Sequence, residues 1–225
     1  QSPDAMVIEC MAVNPQYQWI SEHRIVRSNV SVITNVRKDH VDEMGITNKD
    51  IAYSLTNTIP YNSKLVTSEK KYYGVFKKIA DERKTNIIKA NQGDVDSNYI
   101  DKFHYLEHPE NISLALKVCQ ELGVNKDKAL KGMLSTIPDP GALLIWNIKN
   151  KNQFVSAFAA NDPDSTFKVW SLIKNKFNKK VCFFLNTRND RRYRTIQLID
   201  LVIQKINPDL FIIRGDNIES HIIES

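Results

Sequence analysis

Glycine, proline and cysteine are scarce in this sequence, and their scarcity excludes several classes of protein. Seven glycines and eight prolines in 225 residues are too few for a fibrous or low-complexity chain. The three cysteines, Cys10, Cys119 and Cys182, are widely spaced and form no CxxC pair. This spacing excludes a disulfide framework and a cysteine zinc site, and it is typical of a reducing compartment. We interpret the cysteines as small buried hydrophobic residues.

Long apolar runs and a large excess of one charge are also missing. No stretch approaches the run of about 18 apolar residues that spans a membrane, and no basic-then-apolar leader opens the chain, so it is expected to be soluble and untargeted. The 31 basic and 26 acidic residues leave a net charge of +5, which permits an anionic partner without specifying one. The sequence contains no Gly-Lys-Thr/Ser phosphate loop, GxSxG elbow or HExxH helix.

What the sequence does contain is an alternation of short β-branched runs with longer stretches of helical apolar spacing, which predicts an α/β fold. Several of the short runs are apolar on both faces, as parallel strands covered by helices must be. The predicted strands are Ala5–Ala12, Val30–Val36, Ser63–Thr67, Asn86–Ala90, Ala142–Ile148, Phe154–Ala159, Val181–Asn186 and Leu210–Arg214. The predicted helices are Gln16–Arg27, Lys70–Lys84, Asn111–Leu122, Ser165–Asn175 and Arg191–Lys205.

The segment Thr136–Gly141 (TIPDPG) separates the two sets of strands. Two prolines and a glycine within it are typical of a domain boundary. At about 150 residues per domain, the length fits one large or two modest domains. Because open parallel sheets bind ligands beyond the carboxyl ends of their strands, functional residues are expected in the loops that follow strands.

Glu9 and His40 form the first candidate constellation. Glu9 lies in the apolar run Met-Val-Ile-Glu-Cys-Met, where an ionised carboxylate costs several kcal/mol unless it is paired, hydrogen-bonded or bound to a cation. The next predicted strand leads into Asp39 and His40, which a right-handed crossover would place at an adjacent carboxyl edge. Together the carboxylate and the imidazole could hold a divalent cation beside a nucleotide phosphate. The alternative is a Glu bonded to backbone and an Asp-His pair that caps a helix.

Asn161 and Asp162 form the second constellation, directly after the predicted strand Phe154–Ala159. Asp162 is expected to cap the following helix, with Pro163 at the first helical position. Capping accounts for Asp162 and Pro163, so a functional role for Asn161 and Asp162 depends only on their place at the carboxyl end of a strand.

Arg188, Arg191 and Arg192 form the third constellation, again after a predicted strand. If Asn189 or Asp190 caps the next helix, Arg191 and Arg192 occupy its first turn, where a cation is disfavoured by up to about 1 kcal/mol. A bound phosphate or carboxylate would reverse that penalty, and the planar guanidinium group can bind either anion through two parallel hydrogen bonds. A solvated basic surface is the alternative. Nucleic-acid binding would require more than one short cluster.

Four segments together carry a family resemblance. They are Val7–Val13 (VIECMAV), Thr34–Gly45 (TNVRKDHVDEMG), Phe154–Pro163 (FVSAFAANDP) and Asn186–Arg191 (NTRNDR). They resemble the ligase subunit of poly-γ-glutamate synthase, in the Mur-ligase superfamily, and occur in the family's order over nearly the whole chain. The second segment is general to Mur-type ligases, whereas Glu-Cys-Met-Ala-Val and Ala-Phe-Ala-Ala-Asn-Asp-Pro point to the polyglutamate branch.

The resemblance implies an ATP-dependent amide ligase that adds glutamate to poly-γ-glutamate. In such an enzyme the carboxylate of the growing chain is phosphorylated and the amine of glutamate attacks the acyl phosphate, so that ADP and phosphate leave. By position, Glu9 and His40 match the Mur-type Mg²⁺ ligands, which place the cation between nucleotide and acyl phosphate.

The resemblance also implies roles at two helix starts. Asn111 matches the asparagine that contacts adenine, and His108 lies one turn earlier. Asn161 and Asp162 match the part of the C-terminal domain that closes over the nucleotide, and we expect them to be catalytic. The Mur pattern has no direct counterpart of the arginine cluster, which we assign by charge to binding glutamate or the polyanionic product.

The implied fold is a partial central Mur-type ATP-binding domain over residues 1–136 and a Rossmann-like C-terminal α/β ligase domain over 137–225. The family's phosphate loop precedes the Glu9 strand, and the family chain runs beyond Ser225, so this chain is expected to be an internal fragment that is inactive alone. Leu55 stands where several Mur relatives carbamylate a lysine, so no carbamate-bridged second metal is predicted. Residues 138–141 replace the usual interdomain Gly-Arg, so no arginine contact to ATP is carried over there.

Glutamate, poly-γ-glutamate and membrane-embedded subunits of a synthase complex are the implied partners, and nucleic acid is not expected. The implied location is cytoplasmic, at the inner face of the cell membrane. Two alternatives stay open. One is another Mur-type ligase, such as a folylpolyglutamate or peptidoglycan-precursor enzyme. The other is a non-catalytic module that binds nucleic acid or an acidic polymer through its arginines.

Overall fold

The structure is a computed structural model that describes residues 3–103, 105, 107–137, 141–175, 180–188 and 192–215. The chain divides into two compact units, Gln1–Pro138 and Asp139–Ser225. The division falls within the Thr136–Gly141 segment, where proline and glycine interrupt the helix and strand patterns on either side. The predicted ligase roles of the two domains stay predictions.

A parallel sheet forms the centre of the first unit. It consists of β1 (Val30–Ile33), β2 (Lys64–Thr67) and β3 (Asn86–Lys89), with β2 in the middle. Val30 is opposite Lys64, which in turn is opposite Asn86, so the strands are in register and their carboxyl ends meet at one edge. Leu65, Val66 and Thr67 of β2 are fully buried, as expected for a parallel strand with helices on both faces.

Helices surround this sheet, and several of them begin at side-chain caps. Asn14 accepts a hydrogen bond from the backbone N–H of Gln16 at the start of the first helix, and Thr47 and Asp50 form a reciprocal capping box at the third. The α-helices are α1 (Pro15–Ile20), α2 (Val41–Met44), α3 (Asn48–Leu55), α4 (Tyr73–Glu82), α5 (Ser97–Ile100), α6 (Pro109–Glu121) and α7 (Lys126–Leu134). A π-helical turn, Ser21–Val26, continues α1, and 3-10 turns occupy Thr56–Thr58 and Gln92–Asp94.

The apolar core of this unit lies on both faces of the sheet. On one face, Leu65 packs with Ile51 of α3 and Phe76 of α4. On the other face, Val66 packs with Leu114 of α6. The sheet is therefore held between helices, and its carboxyl edge is left for the loops that follow the strands.

The second unit contains two strand pairs of different kinds. β4 (Leu144–Asn147) pairs antiparallel with β5 (Gln153–Ser156) across the 3-10 turn Lys149–Lys151, and β6 (Cys182–Asn186) pairs parallel with β7 (Leu210–Arg214). The helices are α8 (Pro163–Ile173) and α9 (Arg192–Leu201), which continues as a π-helical turn, Val202–Ile206. The core here unites Leu201, Val202 and Ile206 with Trp170 of α8, Phe183 of β6 and Phe211 of β7.

The α/β class and the predicted strands from Val30 onward are confirmed, but the first predicted strand is wrong. Residues 5–13 adopt no regular structure, and Met6, Val7, Ile8 and Met11 are exposed. A strand needs a neighbour for its backbone hydrogen bonds, and in the described part of the sheet β1 pairs only with β2.

The buried cysteines that we expected are also not found, because Cys10 and Cys182 are exposed and Cys119 is half-buried. Cys10 lies in the unpaired segment 5–13, and Cys182 lies on the exposed face of β6, where alternate residues are open to solvent. Among the described residues, no helix combines the length and apolar character needed to cross a membrane.

Candidate functional site

The loops after β1 and β2 are joined at the carboxyl edge of the first sheet. The Ser68 hydroxyl donates a hydrogen bond to the carbonyl of Thr34 over 2.5 Å. The backbone N–H of Val36 donates to Oε2 of Glu69 over 2.8 Å. The loop that leads from β1 to His40 is therefore fixed to the end of β2 at two points.

Glu69 is a buried carboxylate that the sequence reasoning missed. Its side chain is part of a residue only 7% exposed, and its other oxygen, Oε1, accepts the backbone N–H groups of Lys71 at 2.7 Å and Tyr72 at 3.1 Å. The three backbone donors satisfy a charged group that would otherwise be costly to bury. The sequence places Glu69 two residues after the predicted strand Ser63–Thr67, but only the pairing of β1 with β2 shows that its carboxylate binds the loop after β1.

His40 lies beyond this junction, at the start of α2. Its backbone is left-handed, with φ of 47°, a conformation that histidine adopts more readily than most residues. Its backbone N–H donates to Oδ1 of Asp39 over 2.8 Å, and its Nε2 lies 3.7 Å from Oδ2 of the same residue. The imidazole is 41% exposed and is therefore accessible to a ligand.

Glu9 is exposed in the unpaired segment 5–13, so the predicted cost of burying its carboxylate does not arise. A hydrogen bond does link the neighbourhoods of Glu9 and His40. Nδ2 of Asn14, five residues after Glu9, donates to Oε2 of Glu43, three residues after His40, over 2.9 Å. The bond brings the two segments together without itself placing the Glu9 carboxylate beside the imidazole.

The described residues contain no group of three or more His, Cys, Asp or Glu side chains arranged to hold a metal ion. The described residues therefore form no site in which protein side chains alone surround a cation. One carboxylate and one imidazole, both exposed, fit a different type of site, in which phosphate and water oxygens complete the shell of Mg²⁺.

His108 and Asn111 lie together at the start of α6, where the resemblance predicts an adenine contact. His108 is the residue before the helix, and Pro109 takes the first helical position. Oε1 of Glu107 accepts both the backbone N–H of His108 at 2.7 Å and Nδ2 of Asn111 at 2.9 Å. Asn111 is exposed, so its amide remains within reach of solvent.

Asp162 caps α8 in the second unit, as predicted. Its Oδ1 accepts the backbone N–H of Ser165 at 2.9 Å, and the Ser165 hydroxyl donates to its Oδ2. Asn161 precedes it and is exposed. Both residues lie in the loop between β5 and α8, and their catalytic roles stay predictions.

Arg188 and Arg192 of the arginine cluster lie at the carboxyl edge of the β6 and β7 pair. Arg188 follows β6 and Arg192 begins α9, and both are exposed, whereas Arg191 lies outside the described residues. The register pairs Asn186 with Arg214, so Arg214 ends β7 at the same edge. Sequence reasoning missed Arg214 because the pattern alone does not show that β6 and β7 are neighbours.

A cavity of about 370 Å³ lies at the opposite, amino-terminal edge of the first sheet. Its lining comes from residues that precede β1 and β2: Trp19, Glu22, His23, Arg24, Arg27, Ser28, Pro60 and Tyr61. The polar groups here support the fold. Glu22 accepts hydrogen bonds from the backbone N–H and hydroxyl of Ser28, at 2.8 and 3.0 Å. Burial and then the charge of Arg83 lower the pKa of His23 below 6.5.

Solved structures with the same architecture show the fold of this chain. MurF from Acinetobacter baumannii aligns with a TM-score of 0.67 and 13% identity, over 93% of this chain and 50% of that one. FolC from E. coli, in complex with DHPP and ADP, aligns with a TM-score of 0.58 and 15% identity, over 72% of this chain and 42% of that one. At these identities the likeness concerns the fold alone. The predicted Mur-ligase-like α/β fold is confirmed.

Sequence relatives then specify the family. Residues 144–223 match the family described as "Poly-gamma-glutamate synthase CapB C-terminal domain". The capsule biosynthesis protein CapB of Bacillus anthracis is 40% identical over 218 residues, which is 95% of this chain and 47% of that protein. The PGA synthase CapB of Bacillus subtilis (strain 168) is 41% identical over 221 residues, covering 96% of this chain and 56% of that protein. The resemblance to the poly-γ-glutamate synthase ligase subunit is confirmed, and the chain spans about half the length of these relatives.

Proposed function

We propose that the protein is an ATP-dependent ligase that extends poly-γ-glutamate by one glutamate at a time. The observation that carries the proposal is the 40–41% identity to two CapB proteins over 95–96% of the chain, since one of the two is named a PGA synthase. The MurF-like fold and the ADP complex of FolC support a nucleotide-dependent reaction.

The proposed reaction has two steps. The terminal carboxylate of the growing chain first attacks the γ-phosphorus of ATP, so that an acyl phosphate forms and ADP leaves. The amine of the incoming glutamate then attacks the acyl carbon, an amide forms, and phosphate and a proton leave. Half-buried His108 and exposed Asn111, at the start of α6, are assigned to the adenine of ATP.

Magnesium, if bound, would neutralise the negative charge that develops on the transferred phosphoryl group. Glu9 and His40 are the residues assigned to hold it. The pair fits Mg²⁺ only as part of a shell that phosphate and water oxygens complete. Accessible side chains and the Asn14–Glu43 hydrogen bond between their segments support this assignment.

The second unit is assigned to the acidic substrate. Arg188, Arg191 and Arg192, with Arg214 at the same edge, would attract glutamate and the polyanionic chain, because guanidinium groups bind carboxylates through paired hydrogen bonds. Asn161 and Asp162 are assigned to catalysis. Further subunits and a position at the inner face of the membrane belong to the same proposal.

Incubation of the full-length protein with ATP, Mg²⁺ and glutamate tests the proposal. We expect a γ-linked glutamate polymer that grows with time, with one ADP released for each glutamate incorporated. A parallel reaction supplied with a reduced folate separates the two ligase classes. Glutamate transfer to folate without free polymer, or no glutamate-dependent release of ADP, would contradict the assignment.

A further inference from the structure

We propose that Glu69 is a positioning residue that fixes the loop carrying His40 to the end of β2. The importance of this loop for catalysis rests on the proposed function, but the positioning itself depends only on contacts within the first unit. Glu69 differs from an ordinary buried acid because its two carboxylate oxygens bind different loops. Oε1 serves its own loop through Lys71 and Tyr72, whereas Oε2 binds Val36 of the neighbouring loop.

The bond to Val36 restrains the chain on its way to His40. Val36 is buried in the same apolar cluster as Ile33 of β1, and Met44 at the end of α2 packs against that cluster. The segment between Val36 and Met44 is therefore anchored at both ends, and His40 lies at its midpoint. At the first anchor the backbone N–H of Val36 meets a charged acceptor in a buried site, where a charge-assisted hydrogen bond is strong.

Substitution of Glu69 by Gln keeps the size of the side chain and removes this dual role. A glutamine has one acceptor oxygen, and its NH₂ group faces a donor on the other side. Either Val36 or the pair Lys71 and Tyr72 is then left with an unsatisfied backbone N–H. An amide oxygen directed at Lys71 and Tyr72 satisfies two donors, whereas one directed at Val36 satisfies a single donor, so Val36 is the group expected to lose its acceptor. Because Val36 is buried, its loop then gains by moving away from the end of β2.

Glu22 provides a matched control at the amino-terminal edge of the sheet. It is 8% exposed, and its carboxylate also accepts a backbone N–H, from Ser28 at 2.8 Å. Both hydrogen bonds from Ser28 go to Oε1 of Glu22, so Glu22→Gln removes a buried negative charge from a place remote from His40 and keeps an acceptor oxygen there. A loss of stability that comes from the missing charge alone is expected in both variants.

Peptide-level hydrogen exchange on the full-length protein measures the positioning directly. In Glu69→Gln we expect exchange over residues 34–40 to rise by about tenfold or more, the effect of about 1.4 kcal/mol on local opening. In Glu22→Gln this peptide should be unchanged. Ser68→Ala removes the other hydrogen bond to this loop, from the Ser68 hydroxyl to the Thr34 carbonyl, and should raise exchange of the same peptide by a smaller factor. Equal exchange of this peptide in Glu69→Gln and Glu22→Gln would overturn the proposal.

Mn²⁺ binding, followed by the electron paramagnetic resonance of the free ion, measures the consequence for His40. We expect the apparent Mn²⁺ affinity to fall at least threefold in Glu69→Gln and to be retained in Glu22→Gln. For polymer synthesis we expect kcat to fall while the KM for glutamate is unchanged.

A full-length protein that makes no polymer, yet shows the loop effect only in Glu69→Gln, would refute the proposed function and leave the positioning role standing. A protein that makes polymer, with no loop effect in Glu69→Gln, would refute the positioning role alone.

Discussion

Single residues at the candidate site combine structural and chemical roles, and Asp162 allows the two to be separated. Its carboxylate caps α8 through Ser165. Asp162→Ala removes the cap and should destabilise the protein by about 1 kcal/mol. Asp162→Ser keeps an oxygen that can accept the Ser165 N–H, so its stability should stay close to that of the wild type.

Activity assays and thermal unfolding of both variants give the test. If the carboxylate of Asp162 acts in catalysis, Asp162→Ser should lose polymer synthesis in spite of its retained stability. Full activity in Asp162→Ser would show that capping is the only role of this residue.

His23 makes the stability of the first unit dependent on pH. Its pKa in the folded protein lies below 6.5, chiefly because of burial and also because of the neighbouring Arg83. The unfolded chain therefore binds a proton more readily than the folded one as the pH falls below 6.5. The contribution of this residue to stability is complete above pH 6.5 and is lost as the pH falls through the folded pKa.

Urea unfolding between pH 5 and pH 8 measures this effect. The free energy of unfolding should decline on the acid side of pH 6.5 in the wild type. The decline should be shallower in His23→Gln, which cannot titrate in this range. Parallel curves for the two proteins would contradict this assignment.

At the scale of elements, Gly215 shows how the end of β7 depends on close contact with the loop after β6. Its φ is +147°, and a Cβ there would overlap Oγ1 of Thr187 and lie 2.7 Å from the Thr187 carbonyl oxygen. Gly215→Ala should therefore destabilise the second unit by about 1–3 kcal/mol.

Gly74 in α4 is the control for this substitution. A Cβ at Gly74 meets no atom within 4 Å, and the residue is helical. Gly74→Ala should thus raise stability by about 0.5–1 kcal/mol. Thermal unfolding of both variants should show opposite shifts, and a loss of stability in Gly74→Ala that matched Gly215→Ala would argue against a steric cause.

The elements that the sequence predicted are those with a long periodic pattern. α4 and α6 were predicted from helical apolar spacing, and β2 from a short buried run. The helices α2, α3, α5 and α7 were missed. For α2 and α5 the reason is their length, because four residues show barely one turn of a pattern. The strand expected at Ala5–Ala12 failed for a different reason: its apolar pattern is strong, but a strand also depends on a neighbour that local sequence does not reveal.

Prediction of the candidate site was limited in the same way. His40, Asn111 and Asp162 could be proposed because each belongs to a local motif. Glu69 and Arg214 could not, because their positions become meaningful only when β1 is placed beside β2 and β6 beside β7. Contacts between residues distant in sequence are set by topology, and a pattern read along the chain does not contain them.

The whole molecule carries a net charge of +5. Acidic substrates could therefore be attracted by this overall charge or bound by particular arginines, and two double variants distinguish the two cases. The double variant Arg188→Gln with Arg192→Gln changes the carboxyl edge of β6 and β7. Arg24→Gln with Arg27→Gln removes the same charge from exposed residues of the first unit.

We expect the first double variant to raise the KM for glutamate about tenfold, equivalent to about 1.4 kcal/mol, with the KM for ATP unchanged. The second should change either constant by less than about twofold, since exposed charges are screened at physiological salt. Steady-state kinetics of the full-length protein measure both. Equal effects of the two double variants would indicate a general charge effect.

Two of the four methionines lie in the unpaired segment 5–13, where they are accessible to oxidation. Met6 and Met11 are 72% and 77% exposed, whereas Met44 and Met133 pack against apolar clusters. Mild peroxide should therefore convert the first two to sulfoxides before the others. Mass spectrometry measures the rate of this oxidation. The rate should fall when a nucleotide, a peptide segment or a subunit covers segment 5–13, which contains Glu9.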